Sequence, residues 1–505
     1  MPKSEPLTSV DAAWLHMDKP DSLATITSVV LFDQSLDFER VWDTFAYRLL
    51  PFFRRFRQRI REPRLGLGLP RWELDPEFDL ARHIEPLSLP APRDEAALQA
   101  AASHLLSQPL DRRWPLWHVA VVERYRGGGA LITRLHHCLG DGLALVHVLL
   151  SMADDAPDAP WPAAPAPAER DRRPWLARLT ARAAGTAEHA LNTAEHWLKD
   201  GWDALNHPLR PADQLALGGA YALALSKLTL ASPDRKTVFR GKLGRAKRLA
   251  WSRPIALDAV KAAGHALDGT VNDVLLAAVA GGLRRYLEQR DQPVAGLNLR
   301  AMVPVNLRRP GERLDGLGNR FGLILLALPV GVRDPARRVR VLKGRMDAIK
   351  SSPEALVAFR ILGAMGLTPT QVEDLILRFF AAKATAVMTN VPGPRETLYF
   401  AGRPIRRMLV WAPHPGQLGL GVSILSYAGQ VTVGIDADAG LVPDPAQLVA
   451  AFEDEFAALI KAVPGPRRPP RTRAAGRCQA KTQAGAPCRN SAAAGSRFCR
   501  RHSPA

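Results

Sequence analysis

Residues 154–174 read "DDAPDAPWPAAPAPAERDRRP", and no regular secondary structure can run through them. The six prolines fix φ and remove backbone donors, so neither a ladder nor a helix survives there. The chain must therefore build its cores on either side of this stretch. At 505 residues it is also too long for one ordinary core. The expected organisation is an N-terminal lobe over residues 1–155, a Pro/Ala-rich linker and helical connector over 156–244, a second lobe over 245–464 and a basic tail over 465–505.

Both lobes carry mixed α/β patterns. In the first, "ATITSVVLFD" and "LWHVAVVERY" suit strands, and "RGGG" (Arg126–Gly129) joins two apolar runs as a hairpin turn would. "RDEAALQAAASHLLSQ" (Arg93–Gln108) has helical periodicity. In the second, "TVNDVLLAAVAGGLRRYLEQR" predicts a capped amphipathic helix, and "LNLRAMVPVNLR" a strand entering a turn. "NRFGLILLALPV", "ATAVMTNVPGP" and "LSYAGQVTVGIDAD" supply further strands. In the connector, Leu176, Leu179, Ala183, Ala187, Leu191, Ala194 and Leu198 fall on one helical stripe, with Trp197 beside it. That stripe either packs on the parent fold or touches a membrane.

No long apolar span exists, and "LALGGAYALAL" from Leu215 to Leu225 is too short to cross a bilayer. "MPKSEPLTSVDAAW" lacks the apolar core of a signal peptide, so a cytoplasmic protein is expected. The net charge of +19 is concentrated in two places. From Pro464 onward there are ten Lys/Arg and no acids, and "DRKTVFRGKLGRAKR" (Asp234–Arg248) holds seven bases against one acid. A globally basic nucleic-acid binder is therefore a poor fit. Two local zones suit phosphates, anionic headgroups or a polyanion.

"LITRLHHCLGDG" (131–142) places two imidazoles, three spacers, a carboxylate and a glycine between a strand-like run and the helix-like "GLALVHVLL". Side chains in such a strand-to-helix loop can face a cleft. Taken singly, the Asp is an ordinary helix cap and the His an ordinary strand end. Jointly they suit acid–base chemistry.

With "PLTSVDAAWLHMDKP", "DLARHI" (Asp79–Ile84), "PLW" (Pro115–Trp117), "TVNDVLL", "VPVNLR" (Val303–Arg308), "GNRFG" (Gly318–Gly322) and "TNVPGP" (Thr389–Pro394) in this order, the chain resembles the bacterial wax ester synthase / diacylglycerol acyltransferase family. That family lies in the HHxxxDG acyltransferase superfamily, with chloramphenicol acetyltransferase and peptide-synthetase condensation domains. The resemblance spans residues 6 to about 462, although "DSLATITSVVLF" lacks the Met/His pair that the family carries after the proline. It implies an α/β fold of two chloramphenicol-acetyltransferase-like lobes, with the His-His loop in the middle of a channel between them. It also implies an O-acyltransferase that uses acyl-coenzyme A and a hydroxyl acceptor, a fatty alcohol or diacylglycerol, without a catalytic cofactor.

An alcohol is too weak an acid to ionise alone, so a neutral imidazole must take its proton. By resemblance His137 is that base, and it later protonates the departing thiolate. His136 is expected to orient or support. Asp141 either pairs with an arginine to hold the loop or partners the base. Gly142 is expected to allow a backbone geometry that a side chain would block. Cys138 is read as a small apolar filler. Asn272 is either an oxyanion donor or an ordinary N-cap, with Asp273 orienting or bracing it. Pro392 and Pro394 would fix a channel-wall turn.

The tail offers Cys478, Cys488, Cys499 and His502, a spacing that suits one tetrahedral zinc. The alternative is a flexible basic tail with incidental thiols, and its partner is not legible. The basic zones and the lipid substrates together imply peripheral attachment to anionic membrane, at its inner face or on lipid inclusions. Two other functions remain open: transfer to another hydroxyl acceptor, and an inert lipid- or partner-binding protein.

Overall fold

The computed structural model describes residues 4–63, 68–157, 159, 226, 229–307, 318–350, 352–368, 370–414, 416–462, 478–481, 485–490 and 499. The connector stripe and His502 lie outside them. The chain divides into Met1–Ile460 and a small unit, Lys461–Ala505.

Two sheets dominate the large unit, with strands numbered in chain order. The first is built from β2 (Thr25–Phe32), β5 (Ile84–Pro86), β6 (Trp117–Tyr125), β7 (Gly128–His136), β13 (Tyr399–Phe400) and β14 (Arg403–Trp411), in the order β13-β14-β2-β7-β6-β5. β6 and β7 form the expected hairpin. Its turn residues, Arg126 and Gly127, have φ of 48° and 81°. Positive φ at both central positions matches the strand twist, which is why a glycine stands there.

The second sheet has seven strands: β8 (Lys247–Trp251), β9 (Ile255–Ala256), β10 (Leu299–Asn306), β11 (Phe321–Leu328), β12 (Ala386–Pro392), β15 (Leu420–Tyr427) and β16 (Gln430–Asp438). Their order is β11-β10-β12-β15-β16-β8, with β9 beside β16. β10 pairs with β12 only at Ala301–Ala386 and Met302–Val387, in parallel. β1 (Ser4–Pro6), β3 (Gln58–Arg61) and β4 (Arg71–Leu74) make a third, small sheet.

The sequence pattern did not reveal that the lobes exchange a strand. β14, far along the chain, pairs antiparallel with β2 from Trp411–Thr27 to Ile405–Phe32. Alternation marks β14 as a strand, but nothing local names its partner.

The helices among the described residues are α1 (Ser9–Met17), α2 (Phe38–Thr44), α3 (Glu95–Leu106), α4 (Gly142–Met152), α5 (Leu257–Ala266), α6 (Val271–Glu288), α7 (Pro335–Lys350), α8 (Glu354–Met365), α9 (Thr370–Ala381) and α10 (Pro445–Ala462). None of them alone is long and apolar enough to cross a membrane. α1 sits at the centre of the main core. Its Ala12, Ala13, Trp14 and Leu15 are buried with β2, β6 and β7 residues and with Phe321, Leu362 and Met365 of the second lobe. The loop after β7 meets α1 there.

Candidate active site

β7 ends at His136, and one 3-10 turn (His137–Leu139) leads to Asp141, which caps α4. Backbone bonds fix the start of the turn. His136 N donates to Leu116 O at 3.0 Å, and His137 N to Ala24 O at 2.8 Å. The two imidazoles then part. His136 turns inward, where its Nδ1 accepts from Cys138 N at 3.1 Å and its Nε2 lies 3.7 Å from Asp18 Oδ2. Burial works against the charge of Asp18. The neighbouring His136, the amide of Ala24 and the charge of Arg112 outweigh it and hold Asp18 at about 2.

His137 stacks on Trp14 of α1, with centroids 3.9 Å apart and planes 10° from parallel, and Phe321 lies 5.5 Å away. Burial lowers its pKa to about 4, against an opposing pull from the charge of Asp141. The ring is therefore neutral at ordinary pH. Its Nδ1 is buried without a hydrogen-bond partner. A neutral imidazole can accept a proton.

Asp141 takes backbone amides on both carboxylate oxygens. Oδ1 accepts from Ala144 N at 3.0 Å, and Oδ2 from Arg320 N at 2.9 Å, across the lobe boundary. This favours holding the loop over partnering the base. Gly142 corrects an expectation. A Cβ there would meet nothing within 4 Å, and φ is not in the left-handed region. Because Gly142 is the first residue of α4 and faces open space, no neighbour demands glycine for backbone geometry. Cys138 is buried, and burial pushes its thiol well above the ordinary value, as suits a filler and not a nucleophile.

Asn272 is not an N-cap. Thr270 caps α6, accepting from Asp273 N at 3.2 Å, while Asp273 Oδ2 accepts from Thr270 N at 2.9 Å. Asp273 thus braces the helix start through a capping box. Asn272, one residue inside, accepts at Oδ1 from Asn390 Nδ2 at 2.9 Å. That contact occupies its acceptor end, whereas an oxyanion would use its donor end.

Asn319, within "GNRFG", joins the site without any local sign of a role. Asn319 Nδ2 donates to His137 O at 2.8 Å and to Asp11 Oδ1 at 2.7 Å, pinning the turn to α1 from the second lobe. In the sequence it is a polar residue ahead of an apolar strand, which alone does not name a partner.

Comparison with known proteins decides the family. The wax ester synthase/diacylglycerol acyltransferase catalytic domain matches residues 7–275, and the C-terminal domain of the same family matches 317–460. The chain belongs to this family. It is an O-acyltransferase. The Mycobacterium tuberculosis protein named probable diacylglycerol O-acyltransferase tgs1 is 30% identical over 474 residues, covering 90% of this chain and 95% of that one. The wax ester synthase/diacylglycerol acyltransferase of Marinobacter aquaeolei VT8 has the same fold: TM-score 0.64 at 22% identity, over 90% of this chain and 98% of that one. So does the starter condensation domain of rhizomide synthetase, at TM-score 0.54 and 15% identity, covering 91% and 95%. These likenesses bear out the two-lobed α/β expectation.

In this acyltransferase an apolar pocket opens beside Trp14. It encloses about 640 Å3 of empty space, part of it open to solvent. Trp14 and Met17 of α1, Leu323 and Leu325 of β11, Leu362 and Met365 of α8, and Leu377 and Phe380 of α9 line it. The same tryptophan holds the imidazole and walls the pocket. In the small unit, Cys478, Cys488 and Cys499 come together.

Proposed function

We propose that this acyltransferase moves a fatty acyl group from acyl-coenzyme A to diacylglycerol or a long-chain alcohol, with His137 as general base. The observation that carries this reading is the neutral His137 ring, unpaired at Nδ1 and stacked on a wall of the apolar pocket. The acceptor oxygen bonds to the thioester carbonyl as its proton passes to His137. The C–S bond then breaks, and the imidazolium returns the proton to the coenzyme A thiolate. No acyl-enzyme is needed, and the buried Cys138 thiol is a poor nucleophile. Asn272 is the candidate donor to the oxyanion. The name of the mycobacterial relative favours diacylglycerol as acceptor.

The test is a product scan by lipid mass spectrometry with purified protein, palmitoyl-coenzyme A and a panel of acceptors. Triacylglycerol or wax ester is expected. Loss of a general base removes a factor of about 100 to 10,000 in rate, so His137→Ala should fall at least that far while staying folded, and His136→Ala less. Ester formed only with another hydroxyl class would replace the acceptor. No ester with any acceptor would leave an inert binding protein.

We also propose peripheral, cytoplasmic docking on anionic membrane or lipid inclusions, through a narrower surface than charge alone suggests. In the 234–248 segment, Arg240 Nη1 donates to Ala382 O at 2.9 Å, Lys247 pairs with Asp438 at 2.7 Å, and Arg248 donates to Pro443 O. Arg235, Lys236, Lys242 and Arg245 remain exposed. This segment packs on the end of α9, where Asp234 N donates to Ala382 O. α9 in turn exposes Val372, Leu375 and Phe379, on one helical face. An apolar patch rimmed by cations suits a lipid surface, with roughly 1 kcal/mol per basic residue, screened by salt. Sedimentation with phosphatidylserine vesicles should weaken with salt and in Leu375→Glu/Phe379→Glu. Equal binding to neutral vesicles at high salt would refute the anionic part.

A further inference from the structure

The small unit, Lys461–Ala505, has a centre that the acyl-transfer chemistry does not use. Cys478, Cys488 and Cys499 are all buried, none is in a disulfide, and their sulfurs lie within 4.8 Å of one another. Cys488 Sγ and Cys499 Sγ are 3.9 Å apart. A disulfide would bring sulfurs to about 2 Å. Two thiolates each about 2.3 Å from a tetrahedral zinc stand roughly 3.8 Å apart. The spacing is that of metal ligands.

The backbone is arranged for the same end. Cys478 N donates to Asn490 O at 2.9 Å and Cys488 N to Ala480 O at 2.8 Å, with a bridge between Lys481 and Pro487. This antiparallel pairing sets two of the three thiols side by side, and Gly485 takes φ of 79° in the intervening turn. Cys499 N then donates to Cys478 Sγ at 3.1 Å, and Asn490 Nδ2 faces Cys499 Sγ at 3.8 Å. Amide donors aimed at sulfur stabilise thiolate charge.

The energetics point the same way. Among the described residues, the three cysteines with Ala480 beside them are the only hydrophobic cluster of this unit. A unit this short seldom builds a core that offsets the entropy of ordering it, and modules of this size use a metal or disulfides instead.

We propose that Cys478, Cys488 and Cys499 bind one zinc ion, with His502 as the fourth ligand, and that the metal folds this unit. His502 lies outside the described residues; it stands three residues beyond Cys499, with two spacers between, a common ligand spacing. Thiolate-rich tetrahedral sites select zinc over magnesium or calcium. The site is separate from the transfer chemistry and does not depend on that assignment.

The test uses the full-length protein, purified under reducing conditions. Elemental analysis should find about one zinc per chain, absent from Cys478→Ser/Cys488→Ser. Cobalt(II) added to the chelator-stripped protein should give the visible bands and sulfur-to-metal charge transfer of a tetrahedral thiolate site. Chelation should raise proteolysis after Pro464, and zinc should restore protection. A reduced chain that takes up neither zinc nor cobalt overturns the proposal, as does full zinc content in the double variant. An unchanged cobalt spectrum in His502→Ala overturns the fourth ligand.

Discussion

Burial lowers the pKa of His137 to about 4, so near neutral pH almost every molecule carries the free base. The sign of the linked stability follows. In the unfolded chain a histidine titrates near about 6.5, so between pH 6.5 and 4 the unfolded state binds more protons. Stability from neutral His137 is present above about 6.5 and lost as pH falls toward 4, by at most about 3 kcal/mol. Urea titrations at neutral and acid pH should show that loss in the wild type and less of it in His137→Gln. Equal acid loss in both proteins would mean that the ring is not held neutral. At this scale the His-His loop was the most legible part of the sequence, because His136, His137 and Asp141 are close neighbours in the chain. Trp14 and Asn319 were not legible as site residues. Each touches His137 only because distant elements pack there, 3.9 Å between rings and 2.8 Å at the carbonyl.

Elements were legible where their period was clean. The capped helix at Thr270, the hairpin at Arg126–Gly127 and α3 all stand where alternation and capping residues predict them. α7 to α9 were not read from the pattern. α7 buries Arg338, which pairs with Glu455 at 2.7 Å, so its pattern is not simply two-faced, and α9 shows part of its apolar face to solvent. Close approach of helices is equally hidden until the fold is known. A Cβ at Gly366, just past α8, would stand 1.7 Å from Ser9 O at the start of α1. α8 and α1 both wall the pocket, so Gly366→Val must push them apart. Forced overpacking costs typically about 1–3 kcal/mol, and here it also shifts the helix that carries Trp14. A lower melting temperature together with a raised KM for long-chain acyl-coenzyme A is expected. Wild-type values in both measurements would show that the helices separate freely.

At the scale of the whole large unit, the strand exchange decides how stability is shared. β14 is supplied by the chain after β12, a strand of the second sheet, yet it fills the first sheet beside β2, with Leu409 opposite Val29. Across the same boundary Asp141 accepts from Arg320 N, and Asn319 holds His137 O. The main core also mixes residues of both lobes, Trp14 and Val121 with Phe321 and Met365. Neither lobe can lose its packing without exposing a sheet edge and a core face of the other. Although the sequence is punctuated at residues 154–174 as if for two independent domains, Met1–Ile460 should unfold as one cooperative body. Calorimetry of the full-length enzyme should give a single dominant transition for both lobes. Leu409→Pro would disturb the pairing of β14 with β2, where Leu409 stands opposite Val29. Its effect should be to lower that one transition as a whole, with the acyl-transfer activity lost in step. If the variant instead splits the transition into two, with the second-sheet signal unmoved, the lobes are energetically separate and the exchanged strand is only a tether.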